Sequence, residues 1–428
     1  MSLNDTPRAD RLHIGIFGKR NSGKSSLINS LTGQNIAIVS DTPGTTADPV
    51  YKSMELHPIG PVVFIDTAGF DDEGKLGRLR VERTYEALDK TDIAVLVIDS
   101  ADFAKGDLFR ELHWASLFEE KNTPVIVALN EKNNDEPLRS ENQDVAREGY
   151  EAEPEASEFV AADCTDSGEG SGLEKYPIVE LNIKTSTGIE GLRKAIEQSV
   201  SEDFLRRRIL GDMAPEGSLV LLVMPQDIQA PKGRLILPQV QTLRELLDRR
   251  CTAVSTTANG FKRTLGMLNR APDLIITDSQ CFREVWEAKP VKSRLTSFSV
   301  LFAAYKGDIG IFAEGASALD DIAENSKILI AEACTHVPLS EDIGREKIPA
   351  MLRKKFGKSI SITNVSGNDF PDAEGLKKFD LVIHCGACMF NRKHVMSRIA
   401  AAQKAGVPIT NYGIAIAKLT GILEKIEI

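Results

Sequence analysis

The sequence predicts an α/β protein of three domains: an N-terminal nucleotide-binding domain, whose parallel sheet carries helices on both faces, a small α/β domain, and a C-terminal α/β domain. Three observations support this prediction. Residues 18–25, GKRNSGKS, have the spacing of a phosphate-binding loop. Short apolar runs alternate with helical segments in both halves of the chain. Cysteine and histidine residues cluster near the C-terminus.

Length and composition limit the classes to consider. The chain has 428 residues, 42% of them hydrophobic, which is enough for about three domains, placed here at 1–205, 206–270 and 271–428. The net charge of −10 argues against a nucleic-acid partner, which requires clustered lysine and arginine. We find no apolar run of about 18 residues and no apolar leader, so we expect no membrane partner and a cytoplasmic location.

The phosphate loop lies between a predicted buried strand, Leu12–Phe17, and a helix that begins near residue 26. In this setting the loop amides and the helix N-terminus converge on an anion. Lys24 is placed to contact the β- and γ-phosphates, and the Ser25 hydroxyl to bind Mg²⁺. The predicted nucleotide contacts in the loop are Gly18, Asn21, Ser22, Gly23, Lys24, Ser25 and Ser26.

A second motif, Asp-Thr-Ala-Gly, begins at the end of the predicted strand 62–66. Asp66 stands where a carboxylate holds Mg²⁺ through water, and the Gly69 amide can meet the γ-phosphate. Between the two motifs, Thr46 or Thr45 can complete the Mg²⁺ shell when triphosphate is bound. The predicted catalytic residues are Lys24, Thr46, Asp66 and Gly69.

These motifs together resemble those of translation-factor-like GTPases of the tRNA-modification and Era-type branch. There an asparagine in the phosphate loop, here Asn21, accompanies potassium-dependent hydrolysis, so the resemblance implies a K⁺ ion beside the phosphates. Phe70 stands where Ras-like enzymes place a water-orienting glutamine, so we expect slow hydrolysis. Of the guanine motif Asn-Lys-x-Asp, residues 130–133, NEKN, keep only Asn130; we still expect GTP, with reduced affinity or specificity.

Residues 131–177 are acidic and poor in apolar side chains, which indicates an exposed, flexible insertion. After a linker at 201–215, we expect a strand at 218–225 and a helix at 238–250. The segment 206–270 is short for a core of its own, so we expect it to complete that core through self-association.

The C-terminal domain resumes the strand–helix alternation. The predicted strands are 274–277, 309–312, 328–331, 360–363, 381–384 and 407–410. Two cysteine–histidine groups lie at the carboxyl ends of strands 328–331 and 381–384, where neighbouring parallel strands emerge at one sheet edge. They comprise Cys334, His336, His384, Cys385 and Cys388.

Three thiolates and up to two imidazoles can therefore meet at one place. Thiolates are soft ligands that suit an iron–sulfur cluster or Zn²⁺, and both remain open on this chemistry. With only three cysteines, the fourth iron of a cluster would take a histidine, another group or water.

The combination of a phosphate-loop GTPase domain, a short middle domain and a C-terminal CxH…HCxxC pattern resembles the HydF family, the GTPase maturases of [FeFe]-hydrogenases. The resemblance extends over essentially the whole chain, including residues 7–18, 66–77 and 408–413. The acidic insertion and the incomplete guanine motif are the main departures.

The resemblance implies a scaffold that carries a [4Fe–4S] cluster on Cys334, Cys385 and Cys388, with His336 and His384 near the fourth iron. It also implies that the middle domain dimerises the protein, with a homodimer or larger assembly as the result. A diiron precursor would be assembled with two radical-SAM maturases and delivered to the apo-hydrogenase. The competing hypothesis is a tRNA-modification or ribosome-assembly GTPase with a structural zinc site.

Overall fold

The computed structural model describes residues 6–33, 49–71, 74–131, 172–225, 235–333 and 342–428. It divides into two compact units, one of residues 1–6 and 11–201 and one of residues 7–10 and 202–428. Several predictions lie outside the described residues. They concern Thr45, Thr46, Cys334, His336 and most of the insertion 131–177.

The first unit is built on a six-stranded sheet. Its elements are β1 (Leu12–Phe17), α1 (Lys24–Thr32), β2 (Val50–Leu56), β3 (Gly60–Asp66), α2 (Gly74–Leu88), β4 (Ile93–Asp99), α3 (Ser100–Lys105), α4 (Phe109–Glu120), β5 (Val125–Asn130), β6 (Ile178–Leu181) and α5 (Ile189–Gln198). The strand order is β2-β3-β1-β4-β5-β6. The interior strands β1 and β5 are buried along their whole length, as expected for parallel strands covered on both faces.

One edge strand of this otherwise parallel sheet is antiparallel and was not predicted. β2 pairs with β3 in antiparallel register, from Val50 opposite Asp66 to Leu56 opposite Gly60. The physical reason is the connection: the three residues between Leu56 and Gly60 can join antiparallel neighbours, whereas a parallel crossover needs a dozen or more residues.

The second unit contains two four-stranded sheets, and every strand pair in them is parallel. The strands of the first of these sheets and the helices along the same part of the chain are α6 (Glu202–Arg206), β7 (Leu219–Val223), α7 (Leu237–Asp248), β8 (Thr252–Thr256), α8 (Phe261–Met267), β9 (Leu274–Thr277), α9 (Phe282–Ala288), β10 (Arg294–Ser297) and α10 (Phe298–Lys306). Their strand order is β10-β9-β7-β8.

The second sheet of this unit has the order β12-β11-β13-β14. Its elements are α11 (Ile309–Ser317), β11 (Lys327–Glu332), α12 (Ile348–Phe356), β12 (Ser361–Ser366), α13 (Ala373–Leu376), β13 (Leu381–His384), α14 (Arg392–Ala405), β14 (Ile409–Asn411) and α15 (Tyr412–Leu419). β11 pairs with β13, with Ala331 opposite His384, so the two strands end side by side.

The middle sheet extends past the boundary at residue 270, because β9 and β10 belong to it. One apolar core also joins both sheets of the unit and includes Leu221 of β7, Ile275 of β9, Leu329 of β11 and Val382 of β13. The segment 206–270 therefore completes its core with later parts of its own chain. The prediction that it needs self-association for this purpose considered only the length of the segment.

The predicted strand 309–312 is wrong, because these residues open helix α11. The Asp308 carboxylate accepts a hydrogen bond from the Ile311 N–H at 3.0 Å and caps the helix. Gly315 allows this helix to lie close to β14, because a Cβ there would lie 2.0 Å from the Ile409 carbonyl oxygen. Among the described helices, none has the length and apolar character needed to cross a bilayer.

Candidate functional site

The phosphate loop follows β1 and ends at α1, as its motif predicts. Gly23, the residue before α1, has φ +104°, and a Cβ there would lie 2.7 Å from Ile183 Cδ1, so this position requires glycine. The buried Lys24 ammonium donates to the carbonyl oxygens of Gly18 at 3.0 Å and Lys19 at 2.7 Å. Lys24 thus places its positive charge inside the loop.

The two predicted Mg²⁺ ligands of the described residues lie in contact. The Ser25 hydroxyl donates to Asp66 Oδ2 at 2.7 Å. Burial raises the pKa of Asp66, against the opposing effects of the Ser25 hydrogen bond and the Lys24 charge. Its Oδ1 is buried and has no hydrogen-bond partner within the described residues. A hydroxyl beside a carboxylate with an unpartnered buried oxygen fits a bound Mg²⁺.

Asn130 connects the phosphate loop to the strand ends beside it. Its amide Nδ2 donates to the Ser22 carbonyl at 3.1 Å, and its Oδ1 accepts from the Ile183 N–H at 3.3 Å. The side chain is 4% exposed. Asn130 therefore fixes the phosphate loop to the residues after β6. Positions 132 and 133 of the guanine motif lie outside the described residues.

Gly69 lies against the phosphate loop. A Cβ on Gly69 would lie 2.6 Å from the Arg20 backbone nitrogen, so the second motif touches the first without room for a side chain. The same Arg20 N–H donates to Asp71 Oδ1 at 2.6 Å. Sequence analysis did not identify Asp71, although its position two residues after the Asp-Thr-Ala-Gly motif is a signal that could have done so.

Phe70, the residue after the Asp-Thr-Ala-Gly motif, is buried against Trp114. The two rings stack with centroids 5.7 Å apart and an interplanar angle of 19°. Phe70 is 7% exposed and belongs to the apolar core of the first unit. Its ring therefore supplies packing and no polar group to orient a water molecule.

An ion pair between the partly exposed Lys19 and the buried Glu111 joins the start of the phosphate loop to α4. Lys19 Nζ lies 3.3 Å from Glu111 Oε1 and 3.6 Å from Asp102 Oδ2. Glu111 is 1% exposed, and burial raises its pKa, against the lowering effect of Lys19. Sequence analysis missed Glu111, because a single glutamate within a helix forms no motif.

At the far end of the second unit, Cys385 directly follows β13. Its sulfur accepts hydrogen bonds from the N–H groups of Ala333 at 3.1 Å and Ala387 at 3.4 Å. Ala387 has φ +51° and turns the chain sharply between the two cysteines. Backbone N–H groups directed at sulfur stabilise a thiolate. Ala333 is also the residue before Cys334 in sequence.

Cys388 lies three residues before Asn391, the residue that caps α14. Burial raises the pKa of Cys388, and the Lys306 ammonium and two backbone N–H groups oppose this rise. Within the described residues, no group of three or more histidine, cysteine or acidic side chains could hold a metal ion. The two described thiols fit a thiolate-bound group, and the third predicted thiol, Cys334, lies outside the described residues.

Both ring nitrogens of His384 are engaged by the protein. Nδ1 lies 2.8 Å from the Cys385 carbonyl oxygen and Nε2 lies 3.0 Å from a guanidinium nitrogen of Arg398. Burial and the Arg398 charge lower the pKa of His384 to about 3. In this arrangement the neutral ring donates from Nδ1 to the Cys385 carbonyl oxygen and accepts at Nε2, so it helps to fix the backbone at Cys385.

Arg398 was not identified from the sequence. Its guanidinium lies 4.7 Å from the Phe370 ring centroid and 4.6 Å from that of Phe390. His394, four residues earlier on α14, is 7% exposed, and its ring stacks on that of Phe390 with the centroids 3.9 Å apart. Through Arg398 and His394, α14 therefore packs against His384 of β13 and against Phe390.

Three family models match successive parts of the chain. Residues 13–131 match a 50S ribosome-binding GTPase model, residues 209–307 the hydrogen maturase F dimerization domain, and residues 310–427 the hydrogen maturase F tetramerization domain. The chain therefore contains a GTPase domain followed by a dimerization domain and a tetramerization domain of the hydrogen maturase F type.

Curated relatives match less than half of the chain. The chain is 37% identical to GTPase Der of Wolinella succinogenes over 200 residues, which is 46% of this chain and 37% of that protein. It is 30% identical to the tRNA modification GTPase MnmE of Chromobacterium violaceum over 193 residues, or 44% and 35% of the two chains. The chain thus spans just over a third of the length of these relatives.

Solved structures of GTPases also match. A variant of Era from Aquifex aeolicus, bound to GDP and AlF4⁻, is 18% identical and aligns over 57% of this chain and 92% of that chain, with a TM-score of 0.32.

Proposed function

Because this chain belongs to the hydrogen maturase F family, we propose that it is a GTP-hydrolysing scaffold that carries a [4Fe–4S] cluster during [FeFe]-hydrogenase maturation. Its cargo would be a diiron precursor, received with the help of two radical-SAM maturases and delivered to the apo-hydrogenase. The observation that carries the cluster assignment is the Cys385–Cys388 turn, with two N–H groups on the Cys385 sulfur at the shared end of β11 and β13.

For the nucleotide, Ser25 and Asp66 would hold Mg²⁺, and Lys24 would leave the loop carbonyls to contact the β- and γ-phosphates. Asn21, whose backbone is left-handed with φ +59°, would bind K⁺ beside the phosphates. Since Phe70 is packed in the core, the first unit provides no glutamine there, and we propose slow hydrolysis stimulated by K⁺.

For the cluster, Cys385 and Cys388 would supply two thiolates and Cys334 the third. A bound cluster would supply an iron with an exchangeable position to which a metal fragment can attach. His384, engaged at both nitrogens, would hold the Cys385 turn, which leaves His336 or an exogenous group for the fourth iron. The dimerization and tetramerization domains favour self-association of the scaffold.

The test separates the two sites. Lys24→Ala should abolish GTP hydrolysis and retain iron and the EPR signal of the reduced cluster, because Lys24 belongs to the phosphate loop alone. Cys385→Ala should lose the EPR signal and retain hydrolysis measured in K⁺ buffer, which should fall when Na⁺ replaces K⁺. Stoichiometric zinc without iron in the anaerobically reconstituted protein would contradict the scaffold and favour the RNA-linked GTPase.

A further inference from the structure

The carboxylate of Asp71 lies on the phosphate loop. Its Oδ1 accepts a hydrogen bond from the Arg20 backbone N–H at 2.6 Å. Arg20 is the third residue of the loop 18–25, and the backbone N–H groups of such loops bind phosphate oxygens. A carboxylate oxygen offers an N–H group the same kind of negatively charged acceptor as a phosphate oxygen does. Asp71 therefore occupies, from within the protein, one amide of a loop that binds anions.

The two residues before Asp71 hold it against the loop. A Cβ on Gly69 would lie 2.6 Å from the Arg20 backbone nitrogen and 2.8 Å from Asp71 Oδ1, so these three groups share one small space. Phe70 is 7% exposed and stacks on Trp114, which fixes the backbone between Gly69 and Asp71. Asp71 itself is only half-buried. Its side chain is therefore the part of segment 69–71 that can turn away from the loop into solvent.

The partner of the Asp71 carboxylate is a neutral peptide group. Within the described residues, Asp71 contacts the Arg20 N–H and no cationic side chain. The two lysines of the loop have other contacts: Lys24 donates to loop carbonyls, and Lys19 lies beside Glu111 and Asp102. Among these groups, the negative charge of Asp71 is therefore held by a peptide dipole and is not neutralised by an ion pair.

We propose that Asp71 makes the nucleotide site discriminate between GDP and GTP, because its carboxylate holds segment 69–71 on the phosphate loop and opposes the arrival of a γ-phosphate. The inference rests on the proposed nucleotide site, in which the Gly69 amide meets the γ-phosphate, and assigns a residue outside its motifs. A γ-phosphate at Gly69 brings a second anion beside the Asp71 carboxylate, and like charges at short range repel. GTP must therefore release the contact between Asp71 and Arg20, whereas GDP, which ends at the β-phosphate, leaves it in place.

The experiment is an equilibrium titration of the full-length protein with fluorescent GDP and with a fluorescent, non-hydrolysable GTP analogue, both in the same Mg²⁺ buffer. Asp71→Asn keeps an oxygen that can accept from the Arg20 N–H and removes the charge. It should lower the ratio of the Kd for the GTP analogue to the Kd for GDP about tenfold. Asp372→Asn in the second unit is the matched control, because Asp372 also accepts from a backbone N–H, that of Gly375 at 2.8 Å, and loses the same charge. Its ratio should equal that of the wild type.

An unchanged ratio in Asp71→Asn would overturn the inference and leave the proposed function intact. Weaker binding of both nucleotides by the same factor would also overturn it, since Asp71 would then only shape the loop. Asp71→Ala, which removes both the charge and the acceptor, should lower the ratio as well, and it decides the question if Asp71→Asn does not fold. A ratio that rises in either variant contradicts the inference. A wild-type protein that binds neither nucleotide would refute the proposed nucleotide site itself.

Discussion

Replacement of Gly69 by alanine should remove most GTP hydrolysis, because the added methyl group has no room beside the phosphate loop. The Cβ would lie 2.6 Å from the Arg20 backbone nitrogen, 2.9 Å from Arg20 Cα and 2.8 Å from Asp71 Oδ1. Two of these three neighbours are backbone atoms, which cannot rotate away as the end of a side chain can. The clash must therefore be relieved by movement of one motif away from the other.

The size of the effect follows from these distances. The closest contact is about 0.8 Å shorter than the 3.4 Å at which ordinary van der Waals contact begins. Overpacking of this kind costs about 1–3 kcal/mol of stability. If the Gly69 amide donates to the γ-phosphate, as its motif predicts, displacement of that amide would also cost about 10²-fold in the rate of hydrolysis.

The assay is single-turnover phosphate release, combined with the affinity for a fluorescent GDP analogue. The matched control is Gly191→Ala in helix α5, where the Cβ would lie 3.5 Å from Val179 Cγ1, an ordinary contact. That variant should hydrolyse GTP at the wild-type rate and gain about 0.5–1 kcal/mol of stability. If Gly69→Ala hydrolyses GTP as fast as Gly191→Ala, the assignment of Gly69 to the γ-phosphate site is refuted.

Two further predictions concern buried charges. Glu111→Gln should flatten the pH dependence of the free energy of unfolding. The pKa of Glu111 is raised in the folded protein, so folded Glu111 binds its proton more tightly than the unfolded chain does. In the wild type the free energy of unfolding therefore rises as the pH falls through that pKa toward 4.5. Thermal denaturation at several pH values measures this, and equal slopes in variant and wild type would contradict it. Arg398→Lys should lower the free energy of unfolding by about 2 kcal/mol, because lysine loses the planar contact with two aromatic rings. Urea denaturation measures the loss, with the exposed Arg283→Lys as control; a loss no greater than the control's would show that the stacking contributes nothing.

The buried parallel strands were predictable because their apolar runs are bounded by turn residues. β1, β9 and β13 begin and end at the predicted residues, and each is continuously buried. The exposed, alternating strand β2 carries no such run and was not predicted. The segment at 309 was misassigned because a short apolar stretch fits either a strand or a buried helix.

Of the two candidate sites, the sequence located the nucleotide site more completely than the surroundings of the cysteines. The phosphate loop could be located from sequence because its backbone shape depends on glycines at fixed spacing, and the contact of Ser25 with Asp66 follows from the motifs at the ends of neighbouring strands. The side chains that surround the cysteines could not be identified from the sequence. Arg398 contacts His384, the residue before Cys385, from helix α14, and no sequence motif indicates that contact.

By itself, the sequence determined the α/β class, the GTPase motifs, the pairing of cysteines with strand ends and the family. Each depends on residues close together in the chain or on the fixed geometry of parallel strands. Only the tertiary structure decided that Phe70 is a core residue, that both nitrogens of His384 are engaged, and that Asp10 pairs with the buried Lys306. Burial and long-range pairing set these states, because the free energy of a charge or ring depends on what surrounds it in space.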